Sequence, residues 1–246
     1  MNRLEVLAVE GLPEVHPGDD LAQLIASHAS LQSGDVLVVA QKVVSKAEGR
    51  IRSLSDVEAS DEAKRIAPDL IAAPDPRFVQ VVLDESARVV RSSRVLITET
   101  RHGFVSANGG VDHSNVPGDD MVTLLPDDPD ASAIGLRERL RELTGADVGV
   151  VISDTFGRPW RLGIVNVALG IAGLPAVRDL RGTYDDSGKS LHATVLAVAD
   201  DLAAAAGLVM AKTNRAPAVI IRGFDGVGES GAGRDMVRPA AEDLFR

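Results

Sequence analysis

Short apolar runs alternate along the chain with polar segments rich in glycine, proline and aspartate, so strands and helices can be placed from their spacing. Residues 4–9 read as a strand that runs into the turn-rich Gly11-Leu12-Pro13-Glu14-Val15-His16-Pro17-Gly18. Asp19 or Asp20 can cap a helix in which Leu21, Leu24, Ile25 and His28 recur at helical spacing. Residues 35–40, rich in valine and leucine, predict a buried strand, with 42–49 as a connection or a continuation of it. Ser60 and Asp61 can cap another helix. Pro74 and Pro76 interrupt, and Phe78, Val81 and Val82 then mark a helical face before a strand at 94–98. A strand at 104–107 meets the tight Asn108-Gly109-Gly110 turn.

A helix at 132–143 leads into a strand at 148–153, and the stretch 163–174 is too apolar for its period to separate helix from strand. The cluster Asp185-Asp186-Ser187-Gly188 is a turn, 191–197 a strand, 199–211 an alanine-rich helix and 218–222 a strand. The elements mix without strict alternation, which predicts a mixed α/β (α+β) fold with two lobes in place of a single doubly wound sheet.

Composition narrows the function. The 45% hydrophobic and 25% charged fractions are those of a globular chain, which removes disordered, collagen-like and disulfide-scaffold readings. A formal charge of −10 with no basic run argues against a nucleic-acid scaffold and leaves acidic ligands to a local basic pocket. The absence of cysteine excludes thiolate metal sites and cysteine nucleophiles. No basic start with an apolar stretch follows Met1, and the most apolar window, 162–177, is broken by Asn166, three glycines and Pro175. A cytoplasmic protein that makes no membrane contact is expected.

Two motifs mislead. Gly226-Val227-Gly228-Glu229-Ser230-Gly231 satisfies GxGxxG after a strand, yet only fifteen residues follow it, too few for a dinucleotide-binding unit. Gly228 and Gly233 have P-loop spacing, but Arg234-Asp235 stands where a lysine and a hydroxyl are needed. The histidines, at 16, 28, 102, 113 and 192, include no i, i+4 pair for a helical zinc site.

Candidate chemistry lies elsewhere. Ser153-Asp154-Thr155 places a carboxylate and a hydroxyl where a buried strand emerges, a position suited to hard cations, although the triplet also fits a cap or turn. Asp112 and Asn115, three apart after the glycine turn, can project oxygen groups into a common space, or belong to an ordinary hairpin. Lys42 and Lys46 follow the strand 35–40 and can receive phosphate oxygens, in a chain with only five lysines. Arg158 and Arg161, flanking Pro159-Trp160, can bind a further anion or pair with acids. Together these groups describe metal-assisted chemistry on a phosphorylated substrate.

At these residues the chain resembles the coenzyme F420-0:L-glutamate ligase family, the F420:γ-glutamyl ligases. The resemblance runs through Val9-Glu10-Gly11-Leu12-Pro13, Val44-Ser45-Lys46-Ala47-Glu48-Gly49-Arg50, Asp112-His113-Ser114-Asn115-Val116, Ser153-Asp154-Thr155-Phe156-Gly157-Arg158 and Glu242-Asp243-Leu244-Phe245, nearly the whole length. It implies a single ligase-like domain over residues 1–246, built as two α/β lobes and assembled as an intertwined homodimer with the site near the subunit junction.

The implied reaction is GTP-dependent phosphorylation of the F420-0 carboxylate. Attack by the amine of L-glutamate then releases phosphate and GDP, and further γ-linked glutamates follow. The resemblance makes Asp112, Asp154 and Thr155 ligands of Mg²⁺ or Mn²⁺, with K⁺ as a further ion. It makes Leu12, Pro13, Glu14, Val15, Gln41, Lys42, Lys46 and Asn115 nucleotide contacts, and Asp112, Asp154 and Lys46 the catalytic set. Where family members carry an acidic ligand for a second divalent ion this chain has Lys212, and a protonated ammonium cannot ligate a cation. In actinobacterial relatives a flavin-binding, nitroreductase-like domain follows the ligase module. A nucleotide-dependent phosphotransferase or hydrolase acting on another acid, and a non-catalytic nucleotide-binding module, are the alternative readings.

Overall fold

Alternation along the second strand decides the architecture. Leu37 and Val39 enter one core while Val36 and Val38 enter another, so the strand is apolar throughout because both of its faces are covered. The computed structural model describes residues 3–71, 74–116, 118, 120–210 and 215–243. In chain order the elements are β1 (Glu5–Ala8), α1 (Leu21–His28), β2 (Val36–Ala40), α2 (Gln41–Ala47), β3 (Ile51–Ser53), α3 (Asp61–Ile66), α4 (Pro76–Asp84), β4 (Ser86–Ser93), β5 (Val95–Thr100) and β6 (Val105–Ala107). They continue as β7 (Met121–Thr123), α5 (Pro129–Thr144), β8 (Gly149–Arg158), β9 (Arg161–Ala172), β10 (Arg178–Asp179), β11 (Val195–Leu196), α6 (Val198–Met210) and β12 (Ala218–Arg222). The fold is mixed α/β with several sheets, as the spacing predicts.

The largest sheet runs β1-β12-β2-β8-β9, with β2 and β8 parallel and the other neighbours antiparallel. Helices α1, α2 and α5 cover one face through Ile25, Val44, Leu136 and Leu140, and α6 covers the other through Leu202, Ala203 and Ala206. A third core is drawn from residues 54–124, where α3 and α4 pack with Leu96, Val122 and Leu124. Asp20 and Ser60 cap α1 and α3, their side chains accepting the N–H groups of Gln23 and Ala63.

Several elements differ from the sequence expectation. Residues 42–49 are neither a connection nor a strand continuation: α2 begins directly at the end of β2, and its helical period buries Gln41, Val44 and Ser45. Pro76 opens α4 at a first-turn position, where its missing N–H costs nothing. The ambiguous stretch 163–174 is a strand, most of β9, and β8 continues past Ser153 to Arg158 instead of ending there. The strand expected at 191–197 shrinks to Val195–Leu196, and β4 and β7 give no clear signal in the sequence.

The late glycines serve packing. A Cβ on Gly231 would lie 2.4 Å from the Ala176 nitrogen, and one on Gly233 would lie 1.9 Å from the Leu169 carbonyl oxygen. The Gly233 N–H donates to Asp130 at 2.6 Å, so this backbone binds the protein's own carboxylate.

Candidate active site

Strand β2 ends at Ala40, opposite Ser153 of the parallel β8, and both residues line a cavity of ≈ 820 Å³. Crevices at the carboxyl ends of parallel strands are the usual ligand sites of α/β sheets, and this volume suits a small molecule. Its wall includes Leu12, Pro13, Glu14 and Val15 between β1 and α1; Gln41, Lys42 and Lys46 of α2; Asn115; Asp154 with Thr155 of β8; Asn166 of β9; Gly207 and Met210 of α6; and the segment from Arg215 to Pro217. Asp112 is not on the wall but directly behind it, paired with Lys42.

Helical spacing of four residues puts Lys42 and Lys46 on one face of α2, toward the cavity. Each ammonium is met by a carboxylate. Lys42 Nζ lies 2.6 Å from Asp112 Oδ2 and also donates to Ser114 Oγ, and Lys46 Nζ lies 2.5 Å from Glu14 Oε1. Lys46 is only 5% exposed, so its charge is directed into the cavity rather than into bulk water. Gln41 is buried too, its amide donating to the Leu124 carbonyl at 2.9 Å and to Ser45 Oγ, which ties α2 to the residue after β7.

The loop bearing Asp112 and Asn115 is held from both sides. Asp112 and Thr123 exchange backbone hydrogen bonds at 3.1 and 2.9 Å, and the His113 ring stacks on Phe78 of α4 at 4.5 Å. Asn115 adopts a left-handed backbone, φ 58, which asparagine tolerates well. Burial pushes the Asp112 carboxyl up. The Lys42 hydrogen bond, the Ser114 N–H and the Lys42 charge outweigh it and hold the group below its ordinary value.

Asp154 and Thr155 are consecutive in a strand, where successive side chains alternate between faces, and both residues line the cavity. The Thr155 N–H donates to Asp154 Oδ1 at 2.7 Å. A bulge precedes them: Ile152 pairs with Gly170 and Ser153 with Ala168, leaving Leu169 of β9 without an opposite residue. Among the described residues no group of three or more His, Cys, Asp or Glu side chains forms a cation cage. Asp112, Asp154 and Thr155 are oxygen donors of the type hard cations take, and Asp112 already holds a cation, the Lys42 ammonium. Lys212 lies outside the described residues.

Arg158 and Arg161 are not part of this cavity. They sit at the tip of the β8–β9 hairpin, where Arg158 donates to the carbonyls of Gly163 and Leu162. Sequence reasoning gave no role to Asn166, Gly207, Met210 and Arg215, all on the wall. Only Asn166 left a signal there, as the polar interruption of an apolar window.

A cleft beside the parallel strands β2 and β8, with paired lysines on one side and acid, hydroxyl and amide groups on the other, marks a mixed α/β protein with a candidate small-molecule site. The sequence profile of the F420-0:Gamma-glutamyl ligase family matches residues 11–223, and the chain belongs to that family. It is similar to the coenzyme F420:L-glutamate ligase of Methanopyrus kandleri, 48% identical over 258 residues that span 100% of both chains. The proteins of the same name from Haloarcula marismortui and Methanothermobacter thermautotrophicus are 47% and 45% identical; each alignment covers 99% of this chain, and 96% and 99% of the respective relatives.

Proposed function

We propose that this chain is a ligase that joins L-glutamate to coenzyme F420-0 at the expense of GTP, with a divalent cation. The observation that carries this reading is the convergence of residues 12–15, 41–46, 115 and 154–155, separate in sequence, on one cavity in a chain of this family. A carboxylate is a poor acyl donor because oxide is a poor leaving group; phosphorylation converts it into one that departs as phosphate. Lys42 and Lys46 are placed to take phosphate oxygens, exchanging Asp112 and Glu14 for the ligand. Asp112, Asp154 and Thr155 would hold the cation, which supplies neutralisation of the crowded phosphate charge.

A carboxylate oxygen of F420-0 attacks the γ-phosphorus and GDP departs. The amine nitrogen of glutamate then attacks the acyl carbon, phosphate leaves carrying the bridging oxygen, and the amine's proton passes to solvent. The same chemistry on the γ-carboxylate of the product extends the chain. The walls would keep this sequence in one place: the 12–15 segment and Asn115 border the cavity, and Val15, only 4% exposed, anchors the former in the core.

Two lobes in a homodimer complete the reading. The core of residues 54–124 and the five-stranded sheet supply the lobes, and the β8–β9 hairpin carries Trp160, Leu162 and Ile164 at 73%, 97% and 55% exposure, a surface suited to a second copy. No helix among the described residues is long and apolar enough to cross a membrane.

Incubation with F420-0, L-glutamate, GTP and Mn²⁺, followed by mass spectrometry, is expected to show products heavier by successive glutamyl units. GTP consumption without that product would contradict the reading. Asp154→Asn is expected to lower turnover on the order of 100-fold or more while leaving the melting temperature unchanged.

A further inference from the structure

Helix α6 runs through four consecutive alanines, Ala203 to Ala206, and then places a glycine at 207, the residue least suited to a helix interior after proline. The neighbour explains it. A Cβ on Gly207 would lie 2.8 Å from the Asn166 carboxamide oxygen and 2.9 Å from its carbon, so the glycine is the seat of that side chain. Asn166 stands directly opposite Thr155 across the β8–β9 ladder, and facing residues of a ladder share a face of the sheet. Its Nδ2 donates to the buried Ser153 Oγ at 3.3 Å and reaches the Met210 sulfur at 3.7 Å. Its Oδ1 takes no hydrogen bond from the described residues, and the side chain lines the cavity.

An amide anchored through nitrogen, with its oxygen beside Gly207 on the cavity wall and no donor to it among the described residues, offers one acceptor to a ligand. The surrounding groups, Ser153, Thr155, Gly207 and Met210, are uncharged, in contrast to the lysine wall on α2. We propose that Asn166, seated on Gly207, is a ligand-contacting residue whose carboxamide oxygen accepts a hydrogen bond from an N–H or O–H donor of a substrate. This deepens the ligase reading and rests on it. In that setting the donor belongs either to the incoming amino acid's amine or to the hydroxyl and N–H groups of the nucleotide, and the two sources separate by experiment.

Steady-state kinetics of Asn166→Ala, Asn166→Asp and Gly207→Ala are compared with the unchanged chain, each co-substrate varied in turn, together with GDP binding by calorimetry and thermal melting. Loss of the acceptor in Asn166→Ala is expected to raise the KM of one co-substrate about tenfold, equivalent to about 1.4 kcal/mol, while the others stay within about twofold. A selective rise for glutamate identifies the amine as donor, and a rise for GTP with weakened GDP binding identifies the nucleotide. Asn166→Asp, which keeps an acceptor oxygen, is expected to restore most of the loss. Gly207→Ala, which displaces the carboxamide without removing it, is expected to show the same selectivity. A fall in melting temperature with every KM and the GDP affinity unchanged would assign Asn166 to packing alone and overturn the proposal. Absence of turnover and of GDP binding in the unchanged chain would instead remove the ligase reading.

Discussion

Lys46 illustrates how one residue is divided between folding and function. It is almost wholly buried, yet its partner Glu14 is 57% exposed, so removing the ammonium leaves an acid that water can solvate at once. Lys46→Met is therefore expected to change unfolding free energy by less than about 1 kcal/mol. The same change should raise the KM for GTP about tenfold or more, since a phosphate loses a charge-assisted hydrogen bond. Denaturant titration and initial rates check the two halves. Asp112 behaves differently. Its carboxyl, held below its ordinary value, contributes stability that is complete at pH values above about 4 and is lost as the pH falls through its folded value. Melting curves of Lys42→Met between neutral and acid pH are expected to show a weaker acid-side loss than the unchanged chain. The sequence exposed Lys42, Lys46, Asp112 and Asp154 because charged residues beside buried strands are few, and Thr155 as the hydroxyl next to Asp154. Asn166 stayed hidden because an anchored amide depends on Gly207, 41 positions away, and no local pattern links them.

At the scale of elements, the start of α5 and the segment after β12 hold each other. Asp130 accepts from the backbone N–H groups of Ile171 at 2.9 Å and Gly233 at 2.6 Å, joining α5 and β9 to the short helical turn at Gly233–Met236. Gly233→Ala would drive a methyl into the Leu169 carbonyl, and the expected cost is about 3 kcal/mol, read as a lower melting temperature and faster proteolysis after residue 225. Gly233 of the rejected P-loop spacing is explained by this contact, and Gly231 of the rejected GxGxxG by its approach to Ala176. The starts of α1 and α3 were legible from their caps Asp20 and Ser60, whereas the caps Asp75 of α4 and Asp128 of α5 were not read. The seven-residue α2 was not, because Val43-Val44 carries β-propensity and only tertiary burial of Gln41, Val44 and Ser45 selects the helix. In β4 the polar and apolar positions do not alternate, and Arg88 and Arg91 fall in a strand whose register shifts twice.

For the whole molecule, a net charge of −10 surrounds a cavity whose α2 wall is basic, so the proposed nucleotide would be drawn locally against the global field. The exposed apolar hairpin tip is the surface proposed for the dimer contact. Leu162→Glu is accordingly expected to shift sedimentation from two copies to one, and an unchanged mass would place the contact elsewhere. The layering around the large sheet followed from apolar runs, whereas the meeting of the 12–15, 112–115 and 154–155 segments depends on long-range pairing that periodicity does not encode. The central claim, activation of a carboxylate as an acyl phosphate in that cavity, is tested most directly with F420-0 labelled with ¹⁸O in both oxygens of its terminal carboxylate. One labelled oxygen is expected in the phosphate released for each amide bond formed. Release of wholly unlabelled phosphate alongside glutamylated product would contradict the account.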